Sequence, residues 1–294
     1  MSFIILTDGA CNLGRDLREK FNIEYIPFTV TCEKENNKEY LATLDWETMS
    51  AKEYYDRMRN GDVFRTSLIS IGTYEEYFEK FLKEGKDVLY VGVSSGLSGS
   101  FNASRLAIES LSQKYPDRKI VAVDSLRALG AQSLIVIKAS EMRSEEKTME
   151  EIAEWIKKNR NKFHQYGTVE DMVYLKRAGR ISGFKHIMSK MLKIKPIIIS
   201  NDKGENVSIL TVKGRLNSMK KMIELTKENV INPNEQTLFL IHADDEEAIN
   251  ELKKLMFEAV PFKEVYTSNT SPIVGATTGP GMLGVFFFGT EVSN

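Results

Sequence analysis

Short apolar runs rich in β-branched and aromatic residues alternate with amphipathic stretches through the first half of the chain. Segments 3–7, 25–31, 88–93 and 119–124 have strand character, each bounded by turn or cap residues. Between them, Ser50-Ala-Lys-Glu53, Thr73-Tyr-Glu-Glu76 and Thr148-Met-Glu-Glu151 fit capping boxes that start helices. There the hydroxyl accepts the N3 amide and the Glu accepts the cap amide. Such alternation predicts a parallel or mixed sheet covered by helices.

The pattern changes after about residue 163. Segments 194–200 and 206–212 read as strands around Asn201-Asp-Lys-Gly204, which predicts an antiparallel hairpin. A helix over 215–229, a strand over 237–243, a helix over 244–259 and a strand over 284–288 follow. The expected architecture is α/β, in two α/β domains: 1–162, with a Ser/Gly-rich turn, and 163–294. The charged helix over 144–162 forms the join, and no Pro/Gly/Ser linker marks it.

Composition narrows the function classes. The 294 residues are 42% hydrophobic and 28% charged, which excludes a mainly disordered chain. Forty Lys and Arg face 41 Asp and Glu, too balanced for a chain built to neutralise nucleic-acid phosphates. No apolar run reaches the ~18–20 residues of a membrane span, and no basic n-region opens the chain. A cytoplasmic protein is expected. Cys11 and Cys32 fit neither a metal motif nor a disulfide framework. His164, His186 and His242 lack zinc-motif partners, so no metal is expected.

The strongest local chemistry is the strand–turn–helix pattern over 88–107. Its turn supplies Ser94, Ser95, Gly96, Ser98, Gly99 and Ser100. Glycines expose amides, hydroxyls converge, and a helix N-terminus adds positive potential. That combination favours a phosphate or carboxylate; an ordinary well-capped βα turn is the competing explanation. Gly92-Val-Ser-Ser-Gly96 also matches G-x-S-x-G, the nucleophile elbow of α/β-hydrolases. A serine esterase would use Ser94, a later Asp and His242. Against it, no His-Gly-Gly oxyanion loop precedes the turn, and His242 fits a strand-end role.

Two further segments offer hydroxyls. Thr66 and Ser67 sit in a loop, where turn chemistry is the plain explanation. Segment 274–284 reads as a glycine-rich loop carrying Thr277 and Thr278. No Walker A or dinucleotide fingerprint supports nucleotide binding. Between Asp171 and Asp202 there is no acidic residue, while Lys176, Arg177, Arg180, Lys185, Lys190, Lys193 and Lys195 cluster. Within that stretch Phe184, Ile187, Met188, Met191 and Leu192 fall on one helical face. A basic amphipathic helix grips an anionic partner or membrane, or packs on its own core with a solvated basic face.

An ordered set of motifs resembles the DegV family of bacterial lipid-binding proteins. They are Leu6-Thr-Asp-Gly-Ala-Cys-Asn-Leu13, Thr66-Ser67 with Ser70, Val93-Ser-Ser-Gly-Leu-Ser-Gly-Ser100, Thr168-Val-Glu-Asp-Met-Val-Tyr-Leu-Lys-Arg-Ala-Gly-Arg-Ile-Ser182 and Thr278-Gly-Pro-Gly281. Ile194-Lys-Pro196 and Ile241-His-Ala243 also fit. The resemblance implies two α/β domains with a lipid-binding tunnel between them, and no catalytic apparatus. It implies a long-chain fatty acid as ligand, with a separate ATP-dependent fatty acid kinase as partner. The kinase would phosphorylate the presented carboxylate, and the protein would carry the acyl phosphate. A lipid-binding module without a kinase is the alternative.

By the same resemblance Thr66 and Ser95 hold the carboxylate, with Ser94, Gly96, Thr277 and Thr278 beside them. Lys176, Arg177 and Arg180 would meet the kinase, the phosphate or, transiently, a membrane surface. Burying ~16 methylenes at ~0.8 kcal/mol each gains on the order of 10 kcal/mol, so affinity would come from the tunnel and orientation from the hydroxyls. Three positions depart from the family pattern. Thr277 replaces a usual His, Gly9 and Asn12 replace Ser and Asp, and Leu68-Ile69 replaces Gln-Pro.

Overall fold

The computed structural model describes residues 3–181 and 194–292. The first half of the chain runs β1 (Phe3–Asp8), α1 (Arg15–Phe21), β2 (Ile23–Ile26), β3 (Phe28–Cys32), β4 (Lys38–Ala42), α2 (Ala51–Arg59), β5 (Phe64–Thr66), α3 (Ile71–Lys83), β6 (Asp87–Gly92), α4 (Ser100–Lys114), β7 (Ile120–Asp124), α5 (Leu129–Ser144) and α6 (Met149–Asn159). It continues through β8 (Phe163–Thr168), α7 (Met172–Ala178), β9 (Ile194–Ser200), β10 (Asn206–Lys213), α8 (Arg215–Asn229), β11 (Thr237–His242), α9 (Glu246–Ala259), β12 (Glu264–Asn269), α10 (Pro272–Thr278) and β13 (Leu283–Phe288).

A parallel four-stranded sheet has the order β2-β1-β6-β7, and a mixed six-stranded sheet the order β10-β9-β8-β13-β11-β12. All six residues of β1 are buried, as a strand covered on both faces requires. A small antiparallel sheet, β4-β3-β5, stands beside them. The fold is thus α/β, with every strand of the six-stranded sheet drawn from residues after 162.

Several local expectations change. The single strand expected over 25–31 is two strands. Pro27 lacks an N–H to continue the ladder, so β2 pairs with β1 and β3 joins the small sheet. The cap of α3 is Ser70, whose hydroxyl accepts the Thr73 amide at 3.1 Å, and not Thr73. Ser50 caps α2 as expected, and both halves of the Thr148–Glu151 box are present. The expected loop over 274–284 begins as a helix: Ser271 precedes Pro272 at its first turn, where a missing N–H costs nothing. The apolar stripe from Phe184 to Leu192 lies outside the described residues.

α5 lies between the two sheets. Gly130 lets it touch the six-stranded sheet, since a Cβ there would stand 2.6 Å from the Phe286 ring. One apolar core runs from β1 and β6 through α5 to the inner face of the six-stranded sheet, including Ile198, Phe239 and Phe286. Leu238 and Leu240, one residue out of phase, join a second core under α8 and α9. Asn12 fastens the halves together. Its Nδ2 donates to Ser268 Oγ at 2.7 Å and to the Asn269 carbonyl at 2.9 Å, and its Oδ1 accepts the Ser271 amide.

Candidate functional site

A cavity of about 340 Å³ lies between the two sheets. That is within the ~300–1,000 Å³ common for small-molecule sites, and domain junctions are a usual place for them. Its wall is largely apolar, including Phe28, Val93, Leu129, Ile198, Ile273 and Met282. Polar groups interrupt it at Thr66, Ser67, Ser98, Gln165, Thr168, Asn206, Thr277, Thr278 and Arg180. Among the described lining residues Arg180 is the one ionisable group. An elongated apolar ligand with one anionic end matches this distribution.

The hydroxyls are not equivalent. Among the described residues those of Thr66 and Ser67 have no hydrogen-bond partner, so their protons are free for a ligand. β5 places them: Thr66 pairs with Val30, and the Ser67 amide donates to the Thr29 carbonyl at 3.1 Å. Thr277 Oγ1 donates to the Val274 carbonyl at 2.8 Å, and Thr278 Oγ1 to the same carbonyl at 3.1 Å. Both hydroxyls therefore spend their protons on α10 itself.

The Ser/Gly turn divides in two. Ser94, Ser95 and Gly96, expected to hold a ligand's oxygen, are not among the residues lining this cavity. Ser94 is fully buried, and its Oγ donates to the Gly204 carbonyl at 2.7 Å. The Ser95 amide donates to Asp124 Oδ1 at 3.2 Å, and the Gly96 amide to Ser94 Oγ at 3.1 Å. These amides are consumed by the fold. Leu97, Ser98 and Gly99 do reach the cavity. Among the described residues, the amides of Gly99, Phe101 and Asn102 at the start of α4 have no acceptor, and of these three residues Gly99 lines the cavity.

The structure does not assemble the esterase. Among the described residues Ser94 Oγ meets backbone groups and no imidazole, and His242 Nδ1 accepts the Asp245 amide at 3.1 Å at the cap of α9. Burial pushes the His242 imidazole down, as for a strand-end histidine in the core. Lys176, Arg177 and Arg180 are all exposed; Arg180 lines the cavity, and Lys176 and Arg177, on α7, do not.

One residue behind the cavity carries more structure than its motif suggested. Asp8, fully buried at the end of β1, accepts from the Val93 amide at 2.7 Å, Tyr90 Oη at 2.8 Å, the Ala10 amide at 3.1 Å and Gln132 Nε2 at 3.3 Å. Burial pushes its carboxyl up, and these donors oppose the shift. Ala10 and Val93 both line the cavity, so Asp8 sets that wall from behind. A lone carboxylate ending an otherwise apolar strand was the available signal.

A family model described as "Uncharacterised protein, DegV family" matches residues 2–290. A DegV domain-containing protein of Clostridium perfringens is 36% identical over 287 residues, covering 98% of this chain and 97% of the relative. Another, from Clostridium acetobutylicum, is 30% identical over 285 residues, covering 97% and 98%. A DegV lipid-binding protein from Thermotoga maritima has a similar structure, with TM-score 0.85, 26% identity and complete coverage of both chains. A second Thermotoga maritima protein, whose structure is described as revealing a fatty acid binding function, has TM-score 0.84 and 27% identity, covering 99% of this chain and 100% of that one. This chain belongs to the DegV family.

Proposed function

We propose that this protein buries a long-chain fatty acid between its two α/β domains, 1–162 and 163–294, and presents the carboxylate to an ATP-dependent kinase. The observation that carries this is the mostly apolar cavity whose wall holds the hydroxyls of Thr66 and Ser67, unpartnered among the described residues, and Gly99, whose amide has no acceptor there. Hydrogen bonds to an ionised carboxylate are roughly twice as strong as neutral ones, so a few donors fix the orientation. The similarity to a Thermotoga maritima protein with a fatty acid binding function supports the same ligand class.

Thr66, Ser67 and Ser98 take the carboxylate, and Arg180 neutralises it or the phosphate that replaces its charge. Lys176 and Arg177, exposed in the last turn of α7, meet the kinase. Phosphorylation joins a carboxylate oxygen to the γ-phosphorus of ATP and releases ADP; the kinase supplies the catalytic groups and this protein the bound acyl chain. Dependence on ATP places the reaction in the cytoplasm. Among the described residues no helix is long and apolar enough to cross a membrane.

The test is to load the protein with palmitate, add a bacterial fatty acid kinase and ATP, and trap acyl phosphate with hydroxylamine. Palmitoyl hydroxamate is expected, reduced at least tenfold in Thr66→Val. Retained palmitate without hydroxamate would reduce the function to lipid binding alone.

A further inference from the structure

We propose that the β9–β10 turn is a clamp on the Ser94–Gly99 turn, and that Ser94, Arg127 and Gly204 are positioning residues for the ligand carboxylate. The proposal rests on the fatty-acid reading above. It assigns Ser94 a task other than ligand contact, and it brings in Arg127 and Gly204 from outside the cavity.

The clamp is rigid by itself. Asn201 Oδ1 accepts the amides of Lys203 at 3.0 Å and Glu205 at 2.9 Å, while the Asn201 amide donates to the Glu205 carbonyl at 2.9 Å. Gly204, at φ +76°, then turns its carbonyl onto Ser94 Oγ. The contact leaves no room for side chains. A Cβ on Gly96 would stand 2.9 Å from the carbonyl oxygens of both Lys203 and Gly204, and a Cβ on Gly204 would stand 2.1 Å from Ser94 Oγ.

Arg127 holds the joint together from inside and is fully buried. Its Nη1 donates to the carbonyls of Leu126 at 2.7 Å and Asn201 at 3.2 Å, and its Nε to the Phe163 carbonyl at 2.6 Å. Its own carbonyl accepts the Ser94 amide at 3.0 Å. Burial lowers the guanidinium to about 10, so it stays charged at neutral pH. One residue thus connects the three: its side chain joins the clamp to the first strand of the second half, and its main-chain carbonyl holds the turn.

The connection reaches the cavity through two bonds. The Ser94 carbonyl accepts the amides of Leu97 at 3.0 Å and Ser98 at 3.1 Å, and both residues line the cavity. Ser94 Oγ uses its donor on Gly204 and accepts from the Gly96 amide, so it stays with the backbone, while Ser98 stands on the cavity wall with its Oγ accepting the Ser100 amide at 3.2 Å and paired with Ser100 Oγ at 2.8 Å. Displacing the clamp shifts Ser94, and with it the placement of Ser98 and the free amides of α4.

The experiment uses delipidated full-length protein and carboxyl-labelled palmitate, reading Kd by calorimetry and the bound carboxyl resonance by NMR. Variants are Ser94→Ala, Ser98→Ala, the double variant and Arg127→Met; where Arg127→Met does not fold, Ser94→Ala still carries the test. Ser94→Ala and Ser98→Ala each raise Kd about tenfold. The double variant exceeds the worse single by less than about twofold, because the two act through one placement. Ser94→Ala moves the carboxyl resonance, and affinity for methyl palmitate stays within about twofold of wild type throughout. Wild-type Kd and resonance in Ser94→Ala, even with a lower Tm, would overturn the proposal, as would multiplying losses in the double variant. Absent palmitate binding by the wild type is a separate result that would remove the fatty-acid reading itself.

Discussion

The hydroxyl groups of the Ser94–Gly99 turn and those of Thr277 and Thr278 look alike in sequence and do different work. In the turn, the hydroxyl nearest the strand is spent on the Gly204 carbonyl, while Ser98 and the start of α4 reach the cavity. On α10 both threonines reach the cavity wall but donate their protons to Val274. Being near a ligand and being able to donate to it are separate properties. Thr66, Ser67 and Thr168 stand on the wall with hydroxyls that have no partner among the described residues.

The largest expected effect breaks the frame both segments depend on. Asp8→Ala orphans the Val93 and Ala10 amides, at ~1–3 kcal/mol for each buried group, while Tyr90 Oη keeps Tyr74 Oη and Gln132 Nε2 keeps Thr7 Oγ1. Denaturant unfolding should show a loss of about 4 kcal/mol. A loss under about 1 kcal/mol would mean the network is not what fixes that wall.

A slightly smaller effect separates fastening from binding. Buried His164 stacks on Phe287 with centroids 4.9 Å apart and contacts the Thr290 carbonyl through Nε2 at 2.7 Å. Burial lowers its imidazole from 6.5 to about 4. Between those values the unfolded chain binds the extra proton and the folded one does not. Stability is therefore full above about pH 6.5 and falls as pH drops toward 4, by roughly 3 kcal/mol. His242 is shifted the same way. His164→Phe should flatten the profile measured by urea midpoint, and an unchanged slope would contradict the assignment.

Next, Thr66→Val should raise the palmitate Kd about ten- to hundredfold, the range for a hydrogen bond to a charged group. Thr277→Val should change it less than about twofold, since that proton already belongs to Val274. Equal losses in the two variants would erase the distinction between the segments. The smallest effect sharpens it: Thr277→His places a titratable group in the cavity wall, so affinity for palmitate should rise as pH falls through the imidazole range. The wild-type affinity should stay flat there.

Much of the fold was legible because its strands are apolar runs with capped helices between them. The helix over 215–229 and the hairpin around Asn201 follow directly from periodicity and turn chemistry. What stayed hidden depends on partners distant in sequence. β12 is half-exposed and polar enough to lack a strand signature, and it forms by pairing with β11. Small residues and glycine made α10 look like a loop, although Pro272 begins a helix. The candidate site was legible as a set of motifs but not in its division of labour. Ser94 and Ser98 differ in role because residues over 100 positions away close on one of them.

The central claim is that the cavity holds a long-chain fatty acid by its carboxylate. The most direct measurement is to denature freshly purified protein, extract it with organic solvent and identify the extract by mass spectrometry. The account predicts a near-stoichiometric long-chain fatty acid. A phospholipid, an isoprenoid or an empty extract would contradict it.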